Sequence, residues 1–194
     1  MRHFTAGIWV LVLGYTLSQF YRAFLTVLSS DLREELGATP GDLAVSSGMW
    51  FVGFAVMQVP VGRWLDQVGP RRTASGMMVA AALGAAIFAM AQAPWHLHLA
   101  MALIGVGCAP ALMSAYYIFA RNFSVREFGT LAGTFVAVGA LGNLLSATPL
   151  VAVTEAIGWR ASLWGMFAVT LLVAVVVWLV VKDPERLDAA HPQG

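Results

Sequence analysis

GFAVMQVPVGRWLDQVGPR, residues 53–71, and GNLLSATPLVAVTEAIGWR, residues 142–160, align without a gap. Gly53 falls on Gly142, Pro60 on Pro149, Gly69 on Gly158 and Arg71 on Arg160, all at one offset, with Asp66 opposite Glu155. One or two such matches arise by chance, but a set in a single register marks a duplication. The same register lays the first long apolar run of the chain on the fourth and the second on the fifth. The repeating unit therefore holds three runs.

A helix needs about 20 mainly apolar residues to cross a hydrocarbon core of about 30 Å. Six windows meet that length, at approximately 8–29, 42–65, 73–92, 97–120, 130–153 and 161–181. They are long and carry no turn signal every ten residues, so helices are expected rather than barrel strands. Between them lie short connections with turn chemistry: Pro40-Gly41, Gly69-Pro70, Ala93-Pro94 and Gly158-Trp159. The expected fold class is an all-α integral membrane protein with six transmembrane helices. Three is odd, so the second copy (about 97–181) crosses in the opposite sense to the first (about 8–92), the inverted repeat found inside transporter halves.

Composition points the same way. Of 194 residues, 59% are hydrophobic and 11% charged, with a mean hydropathy of +0.76, more apolar surface than a soluble core absorbs. A net charge of +1 and the lack of any basic tract argue against nucleic acid as a partner. The single cysteine, Cys108, lies in an apolar run and forms no intrachain disulfide. Arg2 followed by an apolar stretch resembles a signal peptide, but Tyr15, Gln19 and Arg22 interrupt it and no small-residue cleavage site follows. The stretch reads as a retained first helix. With the N-terminus inside, cytoplasmic segments hold Arg2, Arg63, Arg71, Arg72, Arg121, Arg126, Lys182 and Arg186, whereas the outer loops hold only Arg33 and Arg160. Basic residues are retained on the cytoplasmic side, so both termini are expected there.

Between the second and third runs stands Gly62-Arg63-Trp64-Leu65-Asp66-Gln67-Val68-Gly69-Pro70-Arg71-Arg72. It resembles the loop signature of the major facilitator superfamily, Gly-x-x-x-Asp-Arg-x-Gly followed by basic residues, with Gln67 in place of the first arginine. Phe20-Tyr21-Arg22 is similar to the family's aromatic pair before a first-helix charge, and Gly158-Trp159-Arg160 to its Gly-Trp-Arg. The family's fourth-helix arginine falls near Met101, and Gly139-Ala140-Leu141-Gly142 lacks the glycine-proline signature of antiporters. The resemblance implies the N-terminal six-helix half of a transporter (residues 1–183) and a cytoplasmic tail (184–194) like the start of the family's central loop. It also implies a bacterial inner-membrane location, symport or uniport rather than drug antiport, and gating roles for Gly62, Asp66, Gly69, Arg71 and Arg72. In the family this aspartate meets a helix terminus of the other half; the alternative is a solvated loop aspartate near Arg63 and Arg71. A second six-helix half, as a homodimer or a separate C-terminal half, is the partner implied, besides the lipid bilayer and a small-molecule substrate.

A charged residue within a span costs on the order of 3 kcal/mol on insertion scales, so Arg22 is expected to face a polar cavity or another charge. The alternative is that it snorkels to the outer interface. Tyr15, Gln19, Arg22 and Thr26 recur at helical spacing with Ser18 beside them, the pattern of a helix lining a water-filled path. A guanidinium there suits a carboxylate or phosphate, which points to an organic anion. In the fourth span Ser114, Tyr117 and Arg121 share a face, and the fifth offers Thr134, Asn143 and Ser146. Arg22, Gln19, Tyr15, Tyr117 and Asn143 form the candidate substrate set; the alternative for the small polar residues is helix-to-helix bonding of about 1 kcal/mol per contact.

The third and sixth spans carry few polar groups, as the resemblance implies for helices on the outside of a half. His96, His98 and the scattered methionines show no compact ligand spacing, so no metal or cofactor is expected. No nucleophile, base or paired acids converge, which leaves enzymatic chemistry without support. The function expected is secondary transport by alternating access, and its competitor is a membrane scaffold or accessory half that does not transport.

Overall fold

The computed structural model describes residues 2–184, and the tail beyond Pro184, with Arg186, lies outside them. Among the described residues there are ten helices, nine of which compose six spans. The first is α1 (Arg2–Val27), followed by the short α2 (Ser29–Leu36); the second is α3 (Pro40–Gln67) and the third α4 (Pro70–Ala89). The fourth is divided at Ala109 into α5 (Pro94–Cys108) and α6 (Pro110–Asn122). The fifth comprises α7 (Val125–Gly139), α8 (Leu141–Leu145) and α9 (Thr148–Ile157), and α10 (Trp159–Val180) is the sixth. Among the described residues there is no strand.

Local chemistry sets these boundaries. Thr39 accepts a hydrogen bond from the Asp42 N–H at 3.1 Å while the Asp42 carboxylate accepts from the Thr39 N–H at 2.9 Å, a reciprocal cap that starts α3. Ser124 and Glu127 make the same cap at the start of α7. Prolines occupy the first turns of α4, α5, α6 and α9, where no intrahelical N–H is needed. The path from Ser124 to Gly158 is four residues longer than the path from Thr39 to Gly69, all four before Gly142, where the fifth span is interrupted at Ala140; a second interruption follows at Ser146-Ala147. Sequence reasoning expected Pro60, Pro110 and Pro149 to bend their helices: Pro110 and Pro149 stand at the interruptions after Ala109 and Ala147, whereas Pro60 lies within continuous α3, and the interruption at Ala140 carries no proline to announce it.

The second span packs along the fourth, the fourth along the third, the third along the sixth, the sixth against the first and the first against the fifth; the first and fourth also meet. Exchanging each span for its repeat mate maps this set of contacts onto itself, as two inverted three-helix repeats require. The matched glycines explain the symmetry. A Cβ at Gly53 would strike the Ala102 carbonyl of the fourth span, and one at Gly142 the Thr16 carbonyl of the first, so each repeat uses a glycine to bring two backbones together. Gly69 (φ 93°, ψ 163°) and Gly158 (φ 81°, ψ 156°) share a conformation open in practice only to glycine, and each receives an N–H four residues on, from Thr73 and Ser162.

The second and fifth spans end the arc and are the least enclosed, with 22% of the most apolar stretch of each buried, against 67% for the third. The third span was expected among the outermost, yet inside this chain it is flanked on both sides. Its Ala81, Ala82, Ala85 and Ala86 are buried and admit both neighbours closely. Tyr21 ties the first span to the sixth through a 2.8 Å hydrogen bond with Thr170.

Candidate functional site

The polar stripe of the first span lies between the two ends of the arc. Gln19 donates to the Tyr15 hydroxyl at 2.9 Å, and the Tyr15 ring stacks on Phe135 of α7 at 5.3 Å. The fifth span rests on this stripe at its breaks: a Cβ at Gly139 would strike the Tyr15 ring, and Gly142 lies against Thr16 and Gln19. Asn143, exposed on α8, follows directly. Arg22 is exposed and reaches the other wall, where its guanidinium sits 5.3 Å from the centre of the Phe51 ring on α3.

Arg22 stands five residues before Val27, the last residue of α1, about 8 Å from that end at 1.5 Å per residue. Its guanidinium reaches the level of Phe51, eleven residues into α3. Among the described residues no carboxylate pairs with it. Tyr15 and Gln19 form a hydrogen-bonded pair, and Arg22 follows one turn on. Thr26 is exposed one turn further on.

Tyr117 belongs elsewhere. It packs with Met113 against Val61 and Leu65 of α3, and Arg121, one turn on, covers its ring at 4.4 Å. Arg121 also pairs with Asp66 at 3.8 Å. Neither expectation for Asp66 named this partner. Both residues end their helices, where partial negative charge favours the arginine and disfavours the aspartate; the pair relieves that conflict. On the same face Ser114 is buried with an unpartnered hydroxyl.

Arg71 of the loop motif is held by the end of the sixth span and the residues that follow it. Asp183 accepts from the Arg71 N–H at 2.8 Å, and the Arg71 guanidinium lies 4.7 Å over the Trp178 ring. Gly62 approaches Met113, while Arg72 is exposed.

At the opposite face the repeat mate of Arg71 makes the complementary junction. Arg160 donates to the carbonyls of Ala89 and Ala91 at 3.0 and 2.8 Å and pairs with Glu35 at 3.4 Å. One guanidinium thus joins the ends of the third span, α2 and the sixth span. Sequence reasoning gave Arg160 as the repeat mate of Arg71, as part of Gly158-Trp159-Arg160 and as an outer-loop basic residue, but named none of these partners. His98 meets Ser46 at 2.8 Å and Asp42 at 3.8 Å, binding α5 to α3. Among the described residues no three metal-ligating side chains converge.

Comparison with known proteins gives this arrangement its relatives. The profile of the Major Facilitator Superfamily matches residues 11–193. A probable L-galactonate transporter of Escherichia coli is 23% identical over 95% of this chain and 41% of its own length. A quinolone resistance transporter of Acinetobacter baumannii is 24% identical over 92% of this chain and 42% of its own. Among solved structures, a bacterial homolog of the human lysosomal transporter Spinster, in an inward-facing and occupied conformation, superposes with a TM-score of 0.73 at 21% identity, over 93% of this chain and 44% of that one. The chain spans about two fifths of the length of these relatives.

Proposed function

The chain belongs to the Major Facilitator Superfamily, and on that premise we propose that it forms one half, the N-terminal one, of a secondary transporter that moves a small organic anion by alternating access. The observation that carries the anion is Arg22, a guanidinium within the first span, on the polar stripe, without a carboxylate partner among the described residues. Burying such a charge is costly, and a substrate carboxylate or phosphate bound in bidentate fashion offsets the cost. The relative named for L-galactonate handles an anion by its name, but the one named for quinolone resistance is as similar, so the anion rests on Arg22. Gln19, Tyr15 and Asn143 complete the substrate set, and Tyr117 joins the gate.

The least enclosed spans, the second and fifth, are the surfaces for a second six-helix half, whether a second copy or a separate C-terminal half. Residues 1–183 form the domain and 184–194 begin the connection onward. The surplus of basic residues on the face of the termini, among them Arg63, Arg71, Arg72, Arg121 and Arg126, supports a cytoplasmic position for that face in a bacterial inner membrane. Gly62, Asp66, Gly69, Arg71 and Arg72 form its gate, with Asp66 exchanging Arg121 for the other half as the two halves rock. Substrate binds the occluded state more tightly than either open one, and this difference drives the exchange.

Reconstituted with its second half, the Arg22→Gln variant is expected to lose organic-anion uptake at least about thirtyfold, the effect of removing a hydrogen-bonded charge pair worth about 2 kcal/mol or more. The amount of folded protein in the membrane stays the same. Full uptake by Arg22→Gln removes Arg22, and the anion with it, from the reading.

A further inference from the structure

At the face of the termini the third span begins with two arginines that turn to opposite sides. Arg71 lies over Trp178 of the sixth span, and Arg72 lines a groove with Trp64 of the second. Below each runs an apolar groove. One, of about 260 Å³, is lined by Val79, Leu171, Val175 and Trp178; the other, of about 270 Å³, by Trp64, Val68 and Met77. Each volume is several times the roughly 30 Å³ share of a water molecule. Both grooves share Gly76, above which a Cβ would meet open space. The pair of grooves is a saddle with Gly76 at its crest.

Two polar atoms at the head of this saddle are buried and unpartnered. Thr73, 5% exposed, lines the groove beside Arg72 and its hydroxyl has no partner, and the Arg71 Nε is likewise unsatisfied. A buried polar group without a hydrogen bond costs about 1–3 kcal/mol, so an absent acceptor is implied. The nearest carboxylate, Asp183, is already engaged by the Arg71 backbone N–H, and Asp66 is engaged by Arg121. Tryptophans flanking two arginines at one end of apolar grooves are the chemistry of the membrane interface, and basic pockets between spans take lipid head groups.

We propose that this saddle is a binding site for an anionic phospholipid, its phosphate held by Arg72 and the Thr73 hydroxyl at the head of one groove, with Arg71 flanking the other, and its two acyl chains laid down the grooves on either side of Gly76. The site lies at the third span's junctions with the second and sixth, apart from Arg22 and the substrate set, and shares Arg71 and Arg72 with the proposed gate.

Native mass spectrometry of the protein extracted from membranes, after exchange into equal phosphatidylglycerol and phosphatidylcholine, tests it. Wild type is expected to retain phosphatidylglycerol preferentially. Arg72→Gln loses about fivefold of that retention, the effect of one interfacial arginine, and Thr73→Val loses part of it. Gly76→Leu, whose side chain enters open space and leaves the fold intact, loses the adduct by filling the saddle. Equal retention of the two lipids by wild type, undiminished adducts in both Arg72→Gln and Gly76→Leu, or a protein without adducts overturns the proposal. So does displacement of the lipid by glycerophosphate at equal concentration, since the head group alone would then account for binding.

Discussion

The second and fifth spans hold equivalent places in the two repeats, yet the second is one helix of 28 residues and the fifth is three pieces over 33. Both begin at the same reciprocal cap and both lead to a glycine of positive φ. The second carries Pro60 within an unbroken helix, whereas the matching Pro149 opens a new one. The four additional residues are a little over one helical turn and all precede Gly142, and the interruption at Ala140 sits where Gly139 and Gly142 rest on Tyr15 and Gln19. Duplication therefore preserved the ends and the contact glycine of each span and left its middle free to diverge. The divergence falls beside the polar stripe, so one wall of the candidate path is a stiff rod and the other is jointed.

Gly53 and Gly142 give this comparison its strongest test. Adding a methyl to Gly53 drives it into the Ala102 carbonyl between two continuous helices, and Gly53→Ala is expected to destabilise the protein by about 1–3 kcal/mol, as overpacking does. Gly142→Ala meets the Thr16 carbonyl just as closely, but α8 is short and bounded by breaks, so it yields. Its loss of thermal stability in detergent is expected to be the smaller of the two. Equal losses would mean that the breaks confer no give.

The loops should behave alike where the spans do not. Gly69→Ala and Gly158→Ala each force a side chain into a backbone region that costs about 1 kcal/mol or somewhat more, and their thermal shifts are expected to match within error. A much larger shift for Gly69→Ala would instead reveal the Asp183 carboxylate packed over it as the greater constraint.

The repeat was legible in the sequence because the residues it preserves, Gly53 with Gly142 and Gly69 with Gly158, do the same physical work in both copies. Six spans were legible from apolar length alone. The interruptions at Pro110 and Pro149 were legible as prolines, but the one at Ala140 was not, since Ala140 keeps helical dihedrals (φ −61°, ψ −18°) and its polarity is that of its neighbours. Nor was the Asp66–Arg121 pair, whose members lie far apart in the chain and meet only because α3 packs along the fourth span. The polar stripe of Tyr15, Gln19 and Arg22 was visible as a spacing, but its walls, Phe51 on one side and the jointed fifth span on the other, required the packing. Tyr117 shared the stripe's chemistry and not its place, a distinction that residue type cannot convey.

The most direct measurement is cysteine accessibility in membranes. The native Cys108 is buried and provides a low background. Gln19→Cys and Asn143→Cys are expected to react with a membrane-impermeant thiol reagent, because the junction of the first and fifth spans is proposed to line an aqueous path, while Leu172→Cys on the exposed side of the sixth span is expected not to. Silence at both Gln19→Cys and Asn143→Cys, or reaction at Leu172→Cys equal to theirs, would contradict the placement of a transport path on this face.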